Sequence, residues 1–308
     1  MGKIKKGLAV ASFVTGASAL YLYSAKNIIQ KLAKIDSSYQ KIKIIDLLKS
    51  EELQKVYLEK TKADIAWFKE VMPQKVKLTS FDGLKLCAYE VRRFKDRPYI
   101  ILVHGYNSDA LSLLNSAHEF YKRNYNLLMI DQRGWGESEG EICTFGFKES
   151  LDLVKWIEYL LKNTSNDIGL YGVSMGASTI LKTLSYKLDP RVRFAILEGP
   201  YCSFRSLLEK RLKTSLMTPA LSHYIYELMG FELDELDLQK AVKENNVPTL
   251  FIHADKDSVV DISNTQDLFA ANKGLKELYV LDSDVHAYGM LLKGYFERID
   301  EFLDHYLF

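Results

Sequence analysis

From residue 73 onward, short apolar runs alternate with segments whose apolar residues recur every three to four positions. Short apolar runs between turn signals read as buried strands, and the second pattern reads as amphipathic helices. The strand-like stretches are 76–81, 84–91, 99–103, 127–130, 168–173, 194–197, 249–253 and 278–281. Asp82-Gly83 joins the first two as a hairpin signal. Helical spacing covers 110–122, 146–161, 175–186 and 288–306. A strand that is apolar at every position is buried on both faces. The expectation is an α/β fold, a mostly parallel central sheet with helices on both faces.

The rhythm breaks between 197 and 249. Leu207, Leu208, Leu212, Leu216 and Met217, then Tyr224, Ile225, Leu228 and Met229, suggest two or more short helices there. Residues 201–245 are read as a helical cap inserted over one end of the sheet, with an apolar face turned toward the mouth of a site.

The first 72 residues follow another pattern. Positions 7–25 carry no charge, with Lys3, Lys5 and Lys6 before them and Lys26 after. A helix of that length spans ~28 Å, close to the ~30 Å hydrocarbon core of a bilayer. Three readings compete: a single-pass anchor, which is the one adopted, a cleaved signal peptide, and a buried core helix. Ala17-Ser18-Ala19 suits cleavage, whereas a buried helix would have no solvent face across the charge-free run. Residues 1–26 are thus expected to hold the protein in the cell membrane, with the run serving location and not chemistry. Lysines on both flanks leave orientation undecided by charge count. The basic start favours a catalytic domain outside the cytoplasm, and the unpaired cysteines favour the opposite side. Residues 27–72 continue at helical spacing through Ile42, Ile45, Leu48, Leu53, Val56, Tyr57, Trp67 and Phe68, ending at Met72-Pro73. They read as an amphipathic helical stalk packed on the domain that occupies 73–308.

Charge sharpens this division. Residues 1–72 hold 13 Lys and no Arg against 7 acidic residues, in a chain whose total is only +1, so the remainder is net negative. No basic footprint for nucleic acid appears. Cys87, Cys143 and Cys202 lie far apart, which argues against a disulfide framework or a cysteine-based zinc site.

Gly172-Val173-Ser174-Met175-Gly176 fits G-x-S-x-G and falls between an expected strand and an expected helix. Such a turn lifts a serine hydroxyl above the strand end, and the helix N-terminus behind it favours developing negative charge. The serine needs a base. On an elbow of this kind the acid and then the histidine follow the serine in the chain. His286 sits in a short loop after the last strand, whereas His305 lies near the end of the final helix. The acid belongs in the loop after 249–253, where Asp255, Asp257 and Asp261 all qualify. His253 with Asp255 and Asp257 could suggest a metal, but no second histidine is near. The amide of Met175 is one candidate oxyanion donor. The loop His104-Gly105-Tyr106 after the strand 99–103 supplies the other, the amide of Tyr106, which leaves His104 a structural role.

Together these pieces resemble the α/β-hydrolases, in particular the bacterial group classed with S33 serine aminopeptidase-like enzymes. The resemblance rests on Ser80–Leu84, His104–Tyr106, Asp131–Ser138, Gly172–Gly176, the His253–Asp257 loop and His286, in that order over roughly 75–290. It implies that the last Asp of the acid loop, Asp257, is catalytic, although Ala254 stands where the group usually has Gly. It also implies that Asp131–Ser138 is mainly a structural turn and that 201–245 is a lid. It names no substrate. The reading is a serine hydrolase with Ser174, Asp257 and His286 as catalytic residues and no metal or organic cofactor. It would cleave a small acyl ester, with a short peptide or amide as the alternative. A non-catalytic binding protein of the same fold is the rival from another class. Oligomeric state is left open.

Overall fold

The computed structural model describes residues 20–35, 45 and 48–307. Eight strands form one sheet: β1 (Gln74–Thr79), β2 (Lys85–Val91), β3 (Tyr99–Val103), β4 (Asn126–Ile130), β5 (Ile168–Val173), β6 (Val192–Glu198), β7 (Thr249–Ala254) and β8 (Lys276–Leu281). Their spatial order is β1-β2-β4-β3-β5-β6-β7-β8. β1 and β2 pair antiparallel, as do β2 and β4; every later pairing is parallel. The chain has the α/β-hydrolase fold, as the apolar strand runs implied.

The described helices are α1 (20–33), α2 (Glu51–Val71), α3 (Leu114–Lys122), α4 (Phe147–Asn163), α5 (Met175–Leu184), α6 (Phe204–Leu212), α7 (Thr218–Met229), α8 (Leu238–Ala241), α9 (Ser263–Ala271) and α10 (Tyr295–Leu307). Side chains alternate across a strand. Ile101 and Val103 therefore join Leu153 and Trp156 of α4 and Ile180 of α5 on one face. Ile100 and Leu102 join Phe120 of α3, Trp67 of α2 and Phe302 of α10 on the other.

Two expectations from spacing shift. α9 has no counterpart in the spacing pattern, because only Thr265 and Leu268 in it are buried and no apolar stripe forms. A parallel β7–β8 pair nonetheless requires a crossover. The last helix begins at Tyr295 and not at 288, because Gly294 takes φ +85 just before it.

The larger correction is at the N-terminus. Residues 7–19 of the expected membrane segment lie outside the described residues, and residues 20–25 belong to α1. Among the described residues no helix is long and apolar enough to cross a membrane, so neither the single-pass anchor nor the membrane location built on it stands. The reason is visible in the packing. Ala25, Ile29 and Ala33, at four-residue steps, are fully buried in the core, while Lys26, Gln30, Lys31 and Lys34 face outward. The apolar stripe runs past the charge-free stretch and is used up on protein. For residues 20–26, the described part of that segment, the expectation of location alone falls with it.

Within the stalk region, α2 begins at Ser50, whose side chain accepts the Leu53 amide, and lies on the second face of the sheet. Its Asp64 meets His118 of α3 at 2.6 Å, and the His118 ring stacks on Trp67 with centroids 4.5 Å apart.

Candidate active site

Ser174 occupies the turn from β5 to α5 with φ 52 and ψ −122, a backbone conformation that costs a non-glycine residue energy. The turn survives because its neighbours leave no alternative. A Cβ on Gly176 would run into the carbonyl oxygens of Val103 and His104, and one on Gly172 would come within 2.8 Å of the Ala177 amide nitrogen. The Ser174 N–H donates to the Glu198 carbonyl of β6 at 2.7 Å. The hydroxyl is thereby lifted above the carboxyl end of the sheet, at the start of α5.

The structure brings together Ser174, His286 and Asp257. His286 Nε2 stands 2.8 Å from Ser174 Oγ, and Nδ1 stands 2.6 Å from Asp257 Oδ2. A carboxylate can only accept, so Nδ1–H donates to Asp257 and Nε2 is left to accept from the serine hydroxyl. Asp257 Oδ1 accepts the amides of Val259 at 2.8 Å and Val260 at 3.0 Å. Burial alone would push the Asp257 carboxyl up, but hydrogen bonds from His253 and His286, and the Val259 amide, outweigh it and hold the group below the usual aspartate range.

The other candidates separate by geometry. Asp255 points to the Ser283 amide at 3.0 Å, and Asp261 accepts the Ser263 amide at 3.0 Å. Neither meets an imidazole among the described residues. His305 is exposed and bonds Glu277 at 3.1 Å. His253 is buried, with Nδ1 2.6 Å from Thr265 Oγ1 and Nε2 2.8 Å from the Val260 carbonyl, so it braces the acid loop. His104 is buried too: its Nε2 accepts the Gln132 amide at 3.0 Å.

Met175 follows the serine as the first residue of α5. The loop bearing Tyr106 lies directly against the serine, since a Cβ on Gly105 would sit 3.4 Å from Ser174 Cβ. Tyr106 also carries a wall: its ring stacks on Phe145 at 5.3 Å and meets Trp135 edge-on at 5.6 Å. Its hydroxyl donates to the Leu32 carbonyl of α1 at 3.1 Å. The turn after β4 is braced from inside. Asp131 accepts the amides of Ala110 and Glu137, each at 2.9 Å, and Arg133 bridges Asp152 and Asp82.

Two contributors escape spacing and motif. One is α1, which supplies Ala25, Ile29 and Ala33 to the same apolar cluster as Met175, Phe145 and Phe204. Its four-residue stripe was the available signal. The other is Glu198, buried at the carboxyl end of β6. A charge closing an otherwise apolar strand run, where ligands of α/β sheets bind, was its signal.

The family described as serine aminopeptidase, S33, matches residues 95–230. The uncharacterized protein YqkD of Bacillus subtilis (strain 168) is 29% identical over 248 residues, covering 75% of this chain and 81% of the relative. The Pyrococcus furiosus esterase Pf2001 aligns with a TM-score of 0.64 at 24% identity, covering 78% of this chain and 95% of that one. Acetyl xylan esterase 1 of Thermoanaerobacterium sp. JW/SL YS485 aligns with a TM-score of 0.58 at 15% identity, covering 88% and 99%. The chain is an α/β-hydrolase in fold, and the family match over 95–230 supports an enzyme of hydrolase type.

Proposed function

We propose that this α/β-hydrolase is a serine hydrolase that cleaves a carboxylic ester through an acyl-enzyme. The observation that carries the reading is the continuous contact from Ser174 Oγ to His286 to Asp257, at 2.8 and 2.6 Å. In the forward step Ser174 Oγ attacks the acyl carbon while its proton passes to His286 Nε2. Asp257 accepts Nδ1–H throughout, fixing the tautomer and favouring the imidazolium that forms. The amides of Met175 and Tyr106 face the developing oxyanion. Collapse expels the alcohol, which takes the proton from His286. Water then attacks the acyl-enzyme with His286 again as base, releasing the acid and restoring the serine.

The cap reading for 201–245 belongs to this proposal. Leu208 of α6 and Leu221 and Ile225 of α7 are buried in one apolar cluster with Met175 and Phe145. An apolar cap packed against the turn that carries Ser174 suits a substrate with an apolar acyl part. The second reading is an aminopeptidase or amidase, favoured by the description of the matching family. Turnover of p-nitrophenyl esters against aminoacyl p-nitroanilides separates the two. Ser174→Ala should lower ester turnover roughly 10³-fold or more, with an unchanged circular dichroism spectrum and no labelling by a fluorophosphonate probe. Retained turnover in the purified variant would remove Ser174 from the chemistry, and a wild-type protein that stays unlabelled would favour a binding role.

A further inference from the structure

Glu198 ends β6 and pairs on one side with Val173, the residue before the candidate nucleophile, and on the other with Ile252. It is 1% exposed. A carboxylate in that position is costly unless its oxygens are paired, and both are. Oε1 accepts the Gly289 amide at 2.7 Å, and Oε2 accepts the Tyr295 hydroxyl at 2.6 Å. Tyr295 is followed at 3.2 Å by the Tyr171 hydroxyl, which itself receives Ser116 Oγ–H at 3.1 Å. With Tyr171 donating to Tyr295, the hydroxyls line up as a relay of donors ending on the carboxylate, the arrangement that suits an anion.

The same residue touches both ends of the reacting chain of groups. Its carbonyl oxygen accepts the Ser174 N–H. The adjoining Gly199 backbone abuts the imidazole: a Cβ there would lie 3.5 Å from His286 Cε1 and 4.0 Å from Asp257 Oδ2. Beyond His286 the chain passes through Ala287, at φ 61, to Gly289, whose amide Glu198 holds. A strained short segment is thus anchored three residues from the imidazole by a buried carboxylate.

We propose that Glu198 is a positioning residue for His286: as a second buried carboxylate it fixes the 286–289 segment and favours the imidazolium that forms when Ser174 gives up its proton. The inference rests on His286 acting as the base. Balance is simple, because no proton passes to or from Glu198 in the step; the donors on both of its oxygens hold it as an acceptor and favour its charged form. Burial pushes the Glu198 carboxyl upward. Hydrogen bonds from Tyr295 and Gly289, and the nearby His286 and His253, oppose that rise without cancelling it, so the group stays above the usual glutamate range. The charged and titratable groups around His286 include Asp257 after β7, His253 within β7 and Glu198 on β6, with Ser174 on the β5 turn, Tyr288 in the same segment, which feels the Glu198 charge, and Tyr295 of α10 behind Glu198.

The test is the pH profile of kcat/KM for a p-nitrophenyl ester, measured on the full chain and on Glu198→Gln, with Tyr295→Phe beside it. Removing a negative charge destabilises the imidazolium, so His286 sheds its proton at lower pH. The acid limb should move down by roughly half a unit or more in Glu198→Gln, with a lower kcat and little change in KM. Tyr295→Phe removes a hydrogen bond that favours the charged Glu198 while keeping its carboxyl, so it should move the limb the same way but by less. An acid limb that stays put in folded Glu198→Gln, or that moves equally in Tyr295→Phe, overturns the charge role. Should the glutamine variant fail to fold, Glu198→Asp draws the charge back by one methylene and should move the limb the same way by less; an unmoved limb overturns the inference there too. Ser174→Ala and His286→Ala run in parallel keep the two ideas apart. If either retains turnover, the base assignment fails. If both lose it and the limb is fixed, only the role of Glu198 fails.

Discussion

Below the Ser174 hydroxyl, the interacting side chains stand on or just beyond the ends of β5, β6, β7 and β8, four neighbouring parallel strands. On the proposed reading, the covering pieces come from residues 20–35 and from α6 and α7, which meet over a long stretch of the chain. Tyr21 of α1 donates its hydroxyl to the Leu216 carbonyl at 2.8 Å, a separation of 195 residues. The floor is rigid because adjacent strands sit ~4.8 Å apart and short loops leave their ends little freedom. The roof is held by side-chain packing and a few long-range hydrogen bonds. Chemistry needing tenths of an ångström is carried by the first kind of construction, and coverage by the second.

The sharpest way to probe the floor is Asp257→Asn against Asp255→Asn. The first should cost up to ~10⁴-fold in kcat, by analogy with the corresponding change in serine proteases. The second, which faces the Ser283 amide, should cost far less; the reverse ranking, read from kcat at neutral pH, would move the acid to Asp255. The same variant has a stability signature. The Asp257 carboxyl is held below its ordinary value, so its stabilising contribution is present above about pH 4 and lost as pH falls through its native value. Denaturant titrations should show that Asp257→Asn lacks this part of the acid-side loss.

The roof should answer in stability. Ile29→Ala removes a fully buried side chain from α1 and should cost roughly 2–5 kcal/mol in urea unfolding. A cost near zero would mean that α1 is draped over the core without being part of it, and the contrast between floor and roof would dissolve. The smallest effect is expected at Leu216, which is 82% exposed and meets α1 through its backbone carbonyl. Leu216→Asp should stay within about 0.5 kcal/mol of the wild type and leave the ratio of octanoate to acetate ester hydrolysis unchanged. A selective loss on octanoate would bring Leu216 into the acyl path.

Sequence reading worked where the physics is local. A serine between two close-packed glycines at a strand end, followed in order by an acid loop and a histidine loop, leaves few arrangements, and apolar strands announce their own burial. It did not reach what depends on distant partners. Nothing in the spacing of Asp255, Asp257 and Asp261 distinguishes the one that meets an imidazole; only the resemblance to a family pointed to Asp257. Leu216 was grouped with the apolar face of the cap, yet the turn between α6 and α7 rotates it outward while Leu221 goes in. The charge-free run at 7–25 looked like a bilayer segment, yet its described part, residues 20–25, opens a helix that packs on protein, because lipid and a protein core ask the same thing of a helix face. The four-residue step was absent from that argument: the stripe Ala25, Ile29, Ala33 extends beyond Lys26, and only its continuation separates one solvent from the other.

The bond between Tyr21 and Leu216 also sets a timetable. On the ribosome α1 precedes the other described elements, and its apolar stripe must wait for partners encoded far downstream. At ~5–20 residues per second, the 195 residues between the two ends of that bond take roughly 10 to 40 s to synthesise. Through that interval Ala25, Ile29 and Ala33 have no cap to pack against. A helix made early is thus among the last to be closed in, and a chaperone would find its opportunity there.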